Sequence, residues 1–496
     1  MYITYDTNQI GYGQPPLSNT NKQNDDKSFR PTWLIRMSDL VKVPGKEVTE
    51  TGYCALSYAW TWSGEKFMNE TTGHPEVKDE GKHKIITTVQ KDDGTVLSRD
   101  VKFESLLQQI CQDFKVEYLW FDRWCVDVNN EKEKVESLKQ MYLTYSHADY
   151  VIALVPEMEI IISNNKNDLS EQQQQSIHVL EHCLDQIIQC EWTKRVWLLA
   201  EAMMSKRLLF LGKDVHVWSD GLDQYASSLV HSSAYVSLEA IQSLSGQQKD
   251  ACKVLWHAHR RATTFDHDRI FALINIYSSS TTSLSTTNNI GRGMPITYKP
   301  ALKDYMIQFY KKLIMVDCTM LCFGKQQRDY PNEMMKFATF MPSWTGVSGT
   351  HIQHVTLSQL SQKEENIVVT IDEQDDNKCS IRVQCKSILL DFVNTLTNSN
   401  DVDVGIQEQL EKRYGITFTH QYKEILLSLT QEEDLDKCII LNIPFVWQEC
   451  VIRPVIIKNN EYYRSIGISS IPYQGDQKVG LDNFGSVSED SIFVIQ

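Results

Sequence analysis

Three short stretches of the chain carry residue types that do chemistry, at spacings that could gather them in one place. In YCALSYAW (53–60) an apolar run closes on Ser57, Tyr58 and Trp60, a hydroxyl and two flat rings against which a base or ring can stack. In LWFDRWCVDVNNEKEK (119–134) a second apolar run is followed at once by Asp122, Cys125 and Asp127. In VWLLAEAMM (196–204) Glu201 is embedded among Trp197, Leu198, Leu199, Ala202 and Met203, a setting poorly suited to a solvated carboxylate. Residues i and i+4 share a helix face, so Trp197 and Glu201 look in one direction.

Each group also has an ordinary reading. Aromatic residues at strand ends plug sheet edges, and an Asp after a strand caps the next turn through its own carboxylate. Asp127 with Asn129 could supply the N-cap of the helix that carries Glu131 to Tyr145. Other constellations are weaker. His178 and His182 stand one helical turn apart beside Cys183, but the Glu that a metalloprotease helix needs directly after the first His is missing. Cys318 and Cys322 have no second pair nearby and read as core thiols, and nothing in the sequence brings a His toward Cys125. There is no Gly-rich phosphate loop.

The elements that must position these groups alternate in kind. From TWLIRM to about residue 215, strand-like runs (CALSY, YLWF, VIALV) alternate with helical patterns around FESLLQQICQDF, EKEKVESLKQMYLTYSHA, QSIHVLEHCLDQIIQ and WTKRVWLLAEAMM. Such alternation predicts an α/β layer with a mostly parallel sheet, whose ligands would sit beyond the carboxyl ends of the strands. Residues 1–30, rich in Asn, Gln, Asp, Ser and Gly, read as a loose polar arm. The excursion from Asn69 to Arg99 reads as a hairpin or long surface loop. A helical region is expected over 216–345, with a mobile loop near 278–293, and a β-rich domain over 346–496, where period-two alternation takes over and Lys458 to Glu461 marks a hairpin.

A chain of 496 residues is too long for one core. Its 64 acidic residues against 49 basic ones leave a charge of −15, which speaks against nucleic acid or an anionic membrane as partner. No apolar stretch has the length of a signal peptide or a membrane span, so a cytoplasmic location is expected. The twelve Cys, without a repeated C-x-x-C spacing, suit reduced thiols and not a disulfide framework. No bound cofactor or metal is expected.

Taken together and in order, YCALSYAW, the block from YLWFDRWC to VIALV, and WTKRVWLLAE resemble the three blocks of the fungal heterokaryon-incompatibility (HET) domain: Tyr-x-Ala-Leu-Ser-Tyr-x-Trp-Gly, Leu-Trp-Ile-Asp-x-x-Cys-Ile-(Asp/Asn)-Gln and Arg-x-Trp-Thr-x-Gln-Glu. RRATTFDHDRIFALINIY, ITYKPALKDYMIQFYKKL, MPSWTG and EYYRSIGISS resemble the continuation common in these fungal proteins. The chain departs from the pattern at Thr61 (usually Gly), Val128 (usually Gln), and Leu198 and Ala200 (usually Thr and Gln).

HET domains in turn resemble Toll/interleukin-receptor (TIR) domains, and the likeness runs through CALSY, LWFD, VIALV and WLLAE, where Trp197 and Glu201 match the Trp and essential Glu of the NAD-cleaving members. The resemblance implies a TIR-like α/β sheet flanked by helices and an effector of fungal self/non-self recognition and regulated cell death. It further implies cleavage of the nicotinamide–ribose bond of NAD, with Glu201 catalytic and Ser57, Tyr58, Trp60, Asp122 and Trp197 lining the site for NAD or a related nucleotide. Homo-oligomers are implied too. The same resemblance fits a non-catalytic scaffold that signals by self-assembly alone.

Overall fold

The structure, a computed structural model, describes residues 10–13, 29–48, 51–62, 64–70, 74–90, 96–127, 130–160, 169–230, 232, 234–244, 250–278, 290, 294–326, 332–353, 356–357, 367–371, 379–389, 407–408, 410–411, 416–422, 425–431, 433–447, 450–472 and 491–496. The chain divides into two compact units, Met1–Gln247 with Ala262–Ser283, and Gln248–Arg261 with Leu284–Gln496.

The first unit is built on an eight-stranded sheet. Its strands are β1 (Ile10–Tyr12), β2 (Trp33–Arg36), β3 (Val41–Pro44) and β4 (Cys54–Ser57), then β9 (Tyr118–Trp120), β10 (Val151–Leu154), β11 (Leu208–Leu211) and β12 (Val215–Trp218), in the order β1-β12-β11-β10-β4-β9-β2-β3. Between β4 and β9 two hairpins intervene, β5 (Gly64–Asn69) with β6 (His74–Asp79) and β7 (Lys82–Gln90) with β8 (Val96–Lys102). They occupy the excursion read as a hairpin or surface loop, and both pack against the turn Trp60–Trp62.

Strands β9, β4, β10 and β11 run parallel, whereas β2, β3 and β12 join antiparallel at the two sides. Every residue of β4, β10 and β11 is buried, because helices cover both faces of a parallel sheet and leave no solvated side for alternation. The sheet is therefore mixed, with its parallel part in the middle. Strand β1 lies within the segment read as a loose arm: Ile10–Tyr12 pair in parallel with Val215–Val217, and Tyr12 packs edge-on against Tyr225. Three apolar or small residues are too few to give a periodic signal. The rest of 1–28, apart from Gly13, is outside the described residues.

The helices of this unit are α1 (Phe103–Asp113), α2 (Asp122–Cys125), α3 (Glu131–His147), α4 (Leu169–Gln189), α5 (Val196–Met204), α6 (Ala226–Leu229), α7 (Ala234–Leu244) and, after α8 (Ala251–Ala258) of the second unit, α9 (His267–Ser278). Helix α1 buries Phe103, Leu106, Leu107, Ile110 and Cys111, one stripe at helical spacing. The N-cap of α3 is Asn130, whose side chain accepts from the Glu133 N–H at 3.2 Å, and not the expected Asp127 with Asn129; Asn129 and Val128 are outside the described residues. Helix α5, apolar almost all round, is packed by α3, α9 and β4. Residues 262–283 belong here because Val196 donates to the Ala262 carbonyl and Ala262 to that of Lys194, fastening the start of α5 to the strand-like entry of α9.

The second unit combines α8, α10 (Leu302–Ile314) and a strand-rich sheet. All eight residues of α8 are buried. Its Asp250 cap accepts from Lys253, Ala251 donates to Asp317, and Cys252 donates through its N–H to Thr319 and through its thiol to the Cys322 carbonyl. The eleven-stranded sheet is antiparallel but for one short parallel pairing, and its longest pair is β13 (Cys450–Asn459) with β14 (Tyr462–Pro472). These two are joined by Asn460–Glu461, with Asn460 at φ 55°, the left-handed backbone a two-residue hairpin needs. The helical region read as 216–345 is thus shared between the two units, and most of the loop read at 278–293 is outside the described residues. No helix among the described residues is long and apolar enough to cross a membrane.

Candidate functional site

Ser57 is the last residue of β4, at the carboxyl end of the parallel strands, and is fully buried. Its Oγ accepts a 2.7 Å hydrogen bond from Nε1 of Trp192, also fully buried. Trp192 lies on the turn between α4 and α5, and that turn is tied to the end of β10 by Glu157, whose Oε1 accepts from the Glu191 N–H at 2.9 Å. Helix α3 closes the other side. The Tyr53 hydroxyl donates to the Thr144 carbonyl at 2.6 Å, and the Tyr145 hydroxyl donates to that of Leu56 at 3.3 Å. Tyr145 also meets Trp120 of β9 edge-on.

Glu201 of α5 enters this pocket of hydroxyls with only 5% of its surface exposed. Burial holds its carboxyl well above the ordinary range and the charge of Asp122 adds to that, while hydrogen bonds from Ser57 and Tyr145 and the charge of Arg195 act the other way. Its Oε2 is buried without a hydrogen-bond partner. Arg195, at the start of α5, also feels Asp268 of α9 and Glu191, and burial lowers its pKa.

Asp122 opens α2 just beyond β9 and is half-buried. One of its oxygens accepts from the Arg123 N–H at 2.8 Å, and the side chain of Trp60 hydrogen-bonds to it. Burial, outweighing these bonds and the nearby Arg123 charge, pushes the carboxyl up to about 6. The Arg123 guanidinium in turn lies 4.1 Å over the ring of Trp60, which is 36% exposed. Ser57, Asp122 and Glu201 are thus brought together, with Trp60 at the rim.

Tyr58 is placed differently from the crevice mouth expected of it. It is buried, tilted against Phe103 at a ring distance of 4.9 Å and edge-on to Phe121 at 6.5 Å, and so forms part of the wall that seats α1 on the sheet. Trp197 is half-buried one turn before Glu201. Trp192, and not Trp197, reaches Ser57. Cys125 is buried and its thiol is pushed up to about 12, the state of a packed thiol and not of a nucleophile. His178 is bound to Glu181 at 2.8 Å on an exposed face of α4. The sequence reading missed Tyr145, Trp192 and Arg195. Trp192 and Arg195 stand in the same short block as Glu201, but no spacing rule links them to residues 57 or 122.

The arrangement comprises two carboxyl groups in different environments, two hydroxyls, a buried indole N–H, a guanidinium and a rim ring. Such a set can hold a sugar's hydroxyls and oppose positive charge developing on it. Residues 53–201 match the family model of the heterokaryon incompatibility protein (HET), a span that begins one residue before β4 and ends on Glu201. No curated protein and no solved structure matches the chain.

Proposed function

We propose that the chain is a heterokaryon-incompatibility effector of fungal self/non-self recognition and regulated cell death, acting in the cytoplasm by cleaving the nicotinamide–ribose bond of NAD in a TIR-like domain. The observation that supports the reading best is the buried Glu201 carboxyl beside Asp122 and Ser57 at the carboxyl ends of parallel strands. In the reaction the bond from ribose C1′ to the ring nitrogen breaks, and the electron pair leaves with nicotinamide, which departs neutral and needs no acid. Water then adds to C1′ and releases a proton, giving ADP-ribose. What the protein must supply is negative charge beside the oxocarbenium-like ribose and shelter from bulk water. The Glu201–Asp122 pair supplies the first and the packing of α3 and α5 over β4 the second, with Ser57, Trp60 and Trp197 as substrate contacts.

A second reading, a self-assembling scaffold without catalysis, is favoured by the slight exposure of Glu201. Incubation of the purified full-length chain with NAD separates the two. Release of one nicotinamide per NAD consumed is expected; intact NAD in both monomeric and assembled protein would leave only the scaffold.

A further inference from the structure

We propose that a cleft within the second unit binds a nucleoside monophosphate, an anion carried on a planar ring; this does not depend on the bond-cleaving reading above. The cleft holds about 500 Å³ between the start of α10, residues 338–343 and the β13–β14 hairpin. That volume lies within the roughly 300–1,000 Å³ of small-molecule sites. Hydrogen bonds fix its walls. The Ser343 N–H donates to the Gln496 carbonyl at 3.1 Å, and the Ser343 hydroxyl donates to the same oxygen while accepting from the Ser465 N–H at 2.9 Å. Trp344 Nε1 donates to the Cys379 carbonyl at 3.0 Å.

Charge points to the kind of ligand. The chain carries −15 overall, yet no acidic side chain is among the described residues lining this cleft, and two cations are, Lys303 and Arg464. Lys303 is exposed on the first turn of α10 and shares a helix face with Ile307, which also lines the cleft. Arg464 is held through Nη2 by Glu433, which does not line the cleft. A guanidinium has five N–H donors in one rigid plane, so a bond at one nitrogen sets the direction of the others, and that fork matches a phosphate. Gln496 adds an amide nitrogen that is enclosed and without a hydrogen-bond partner, a donor in the same wall. The rings supply the second half of the site. Tyr462 stands two residues before Arg464 on β14 and hence on the same strand face, and both Tyr462 and Phe340 are half-buried where they line the cleft. A ring left partly uncovered beside two cations offers a flat surface to a base while the cations take its phosphate.

The test titrates AMP, adenosine and inorganic phosphate into the purified full-length chain by calorimetry. In parallel, peptide mapping follows alkylation of Cys379, a half-buried thiol in the cleft wall. AMP is expected to bind once per chain and to protect Cys379. K303M and R464Q are each expected to weaken AMP by about tenfold or more, the loss of one charge-assisted hydrogen bond. Lys303 is exposed, so K303M removes the charge without opening a core. Adenosine and inorganic phosphate, each lacking half of the ligand, are expected to bind at least about tenfold more weakly than AMP. No binding of AMP overturns the proposal. So does AMP binding that K303M and R464Q both leave unchanged and that does not protect Cys379, since the nucleotide then sits elsewhere. Adenosine as tight as AMP overturns the anion, and phosphate as tight as AMP overturns the ring. AMP carries no nicotinamide to release, so none of these results bears on cleavage of NAD.

Discussion

Ser57 accepts the Trp192 indole N–H in a bond whose two partners are both fully buried. Ser57→Ala removes that acceptor from the core and should cost about 1–3 kcal/mol in urea unfolding. Trp192→Phe made in the same chain should recover about 1 kcal/mol of that loss, a coupling that a double-mutant cycle reads directly. At Asp122 the sign of the pH effect follows from its carboxyl being held up to about 6 from an ordinary 3.8. The folded state binds this proton more tightly than the unfolded state does, so the contribution is lost as pH rises through the interval between those values and is absent at neutrality. Asp122→Asn is thus expected to raise the melting temperature at neutral pH by about 2–4 °C and to confer no gain below about pH 4, checked by thermal melts across pH. Asp122 and Glu201 were legible as candidates because a carboxylate after an apolar run, or inside one, violates the usual polar pattern. Tyr58 misled for a related reason: a Tyr at a strand end looks the same whether its ring lines a crevice or, as here, seats against Phe103. The bond from Trp192 crosses 135 positions of sequence, and helical or strand period carries no information about a contact of that range.

Elements were legible in proportion to how completely they are buried. Strands β4, β10 and β11 stood out as unbroken apolar runs because both their faces are covered. The β13–β14 hairpin stood out through alternation and a turn that accommodates Asn460. Strand β1 could not, being three residues long and recognisable only through its partner β12. Nor did alternation of strand and helix reveal that β2 and β12 run against the parallel strands, with β3 antiparallel to β2, since direction is set by connections and not by composition. In β14 one glycine is exacting. Gly467 has φ 152°, and a Cβ there would stand 2.1 Å from the Ser428 carbonyl oxygen of the adjoining strand (Ile425–Leu429). A backbone oxygen cannot swing aside as a side chain can. Gly467→Ala is expected to destabilise the second unit by about 2–4 kcal/mol and to speed amide exchange between Leu426 and Leu429, while Val151–Leu154 keeps its protection.

Across the whole molecule the division into units does not follow the chain. Domains read from composition come out as consecutive blocks, with boundaries at 215 and 345, because a change of pattern along a sequence can only mark a before and an after. The compact units instead interleave: Gln248–Arg261 belongs with the second, and Ala262–Ser283 returns to the first. Removing everything after Ser283 would therefore not yield a clean first unit. It would retain α8 without Asp317, Thr319, Cys322 and Tyr310, the partners of Ala251, Cys252 and His259, and expose a helix all of whose residues are buried. Such a truncated chain is expected to aggregate, and further excision of 248–261 with a short linker to restore a soluble, monodisperse first unit; light scattering distinguishes these outcomes. The same interleaving bears on synthesis. Helix α8 leaves the ribosome ahead of every partner in the second unit. At about 5–20 residues per second the strands up to Gln496 follow over on the order of 10–50 s, an interval in which a nascent apolar helix is open to a chaperone, or to the α8 of a neighbouring polysome-bound copy.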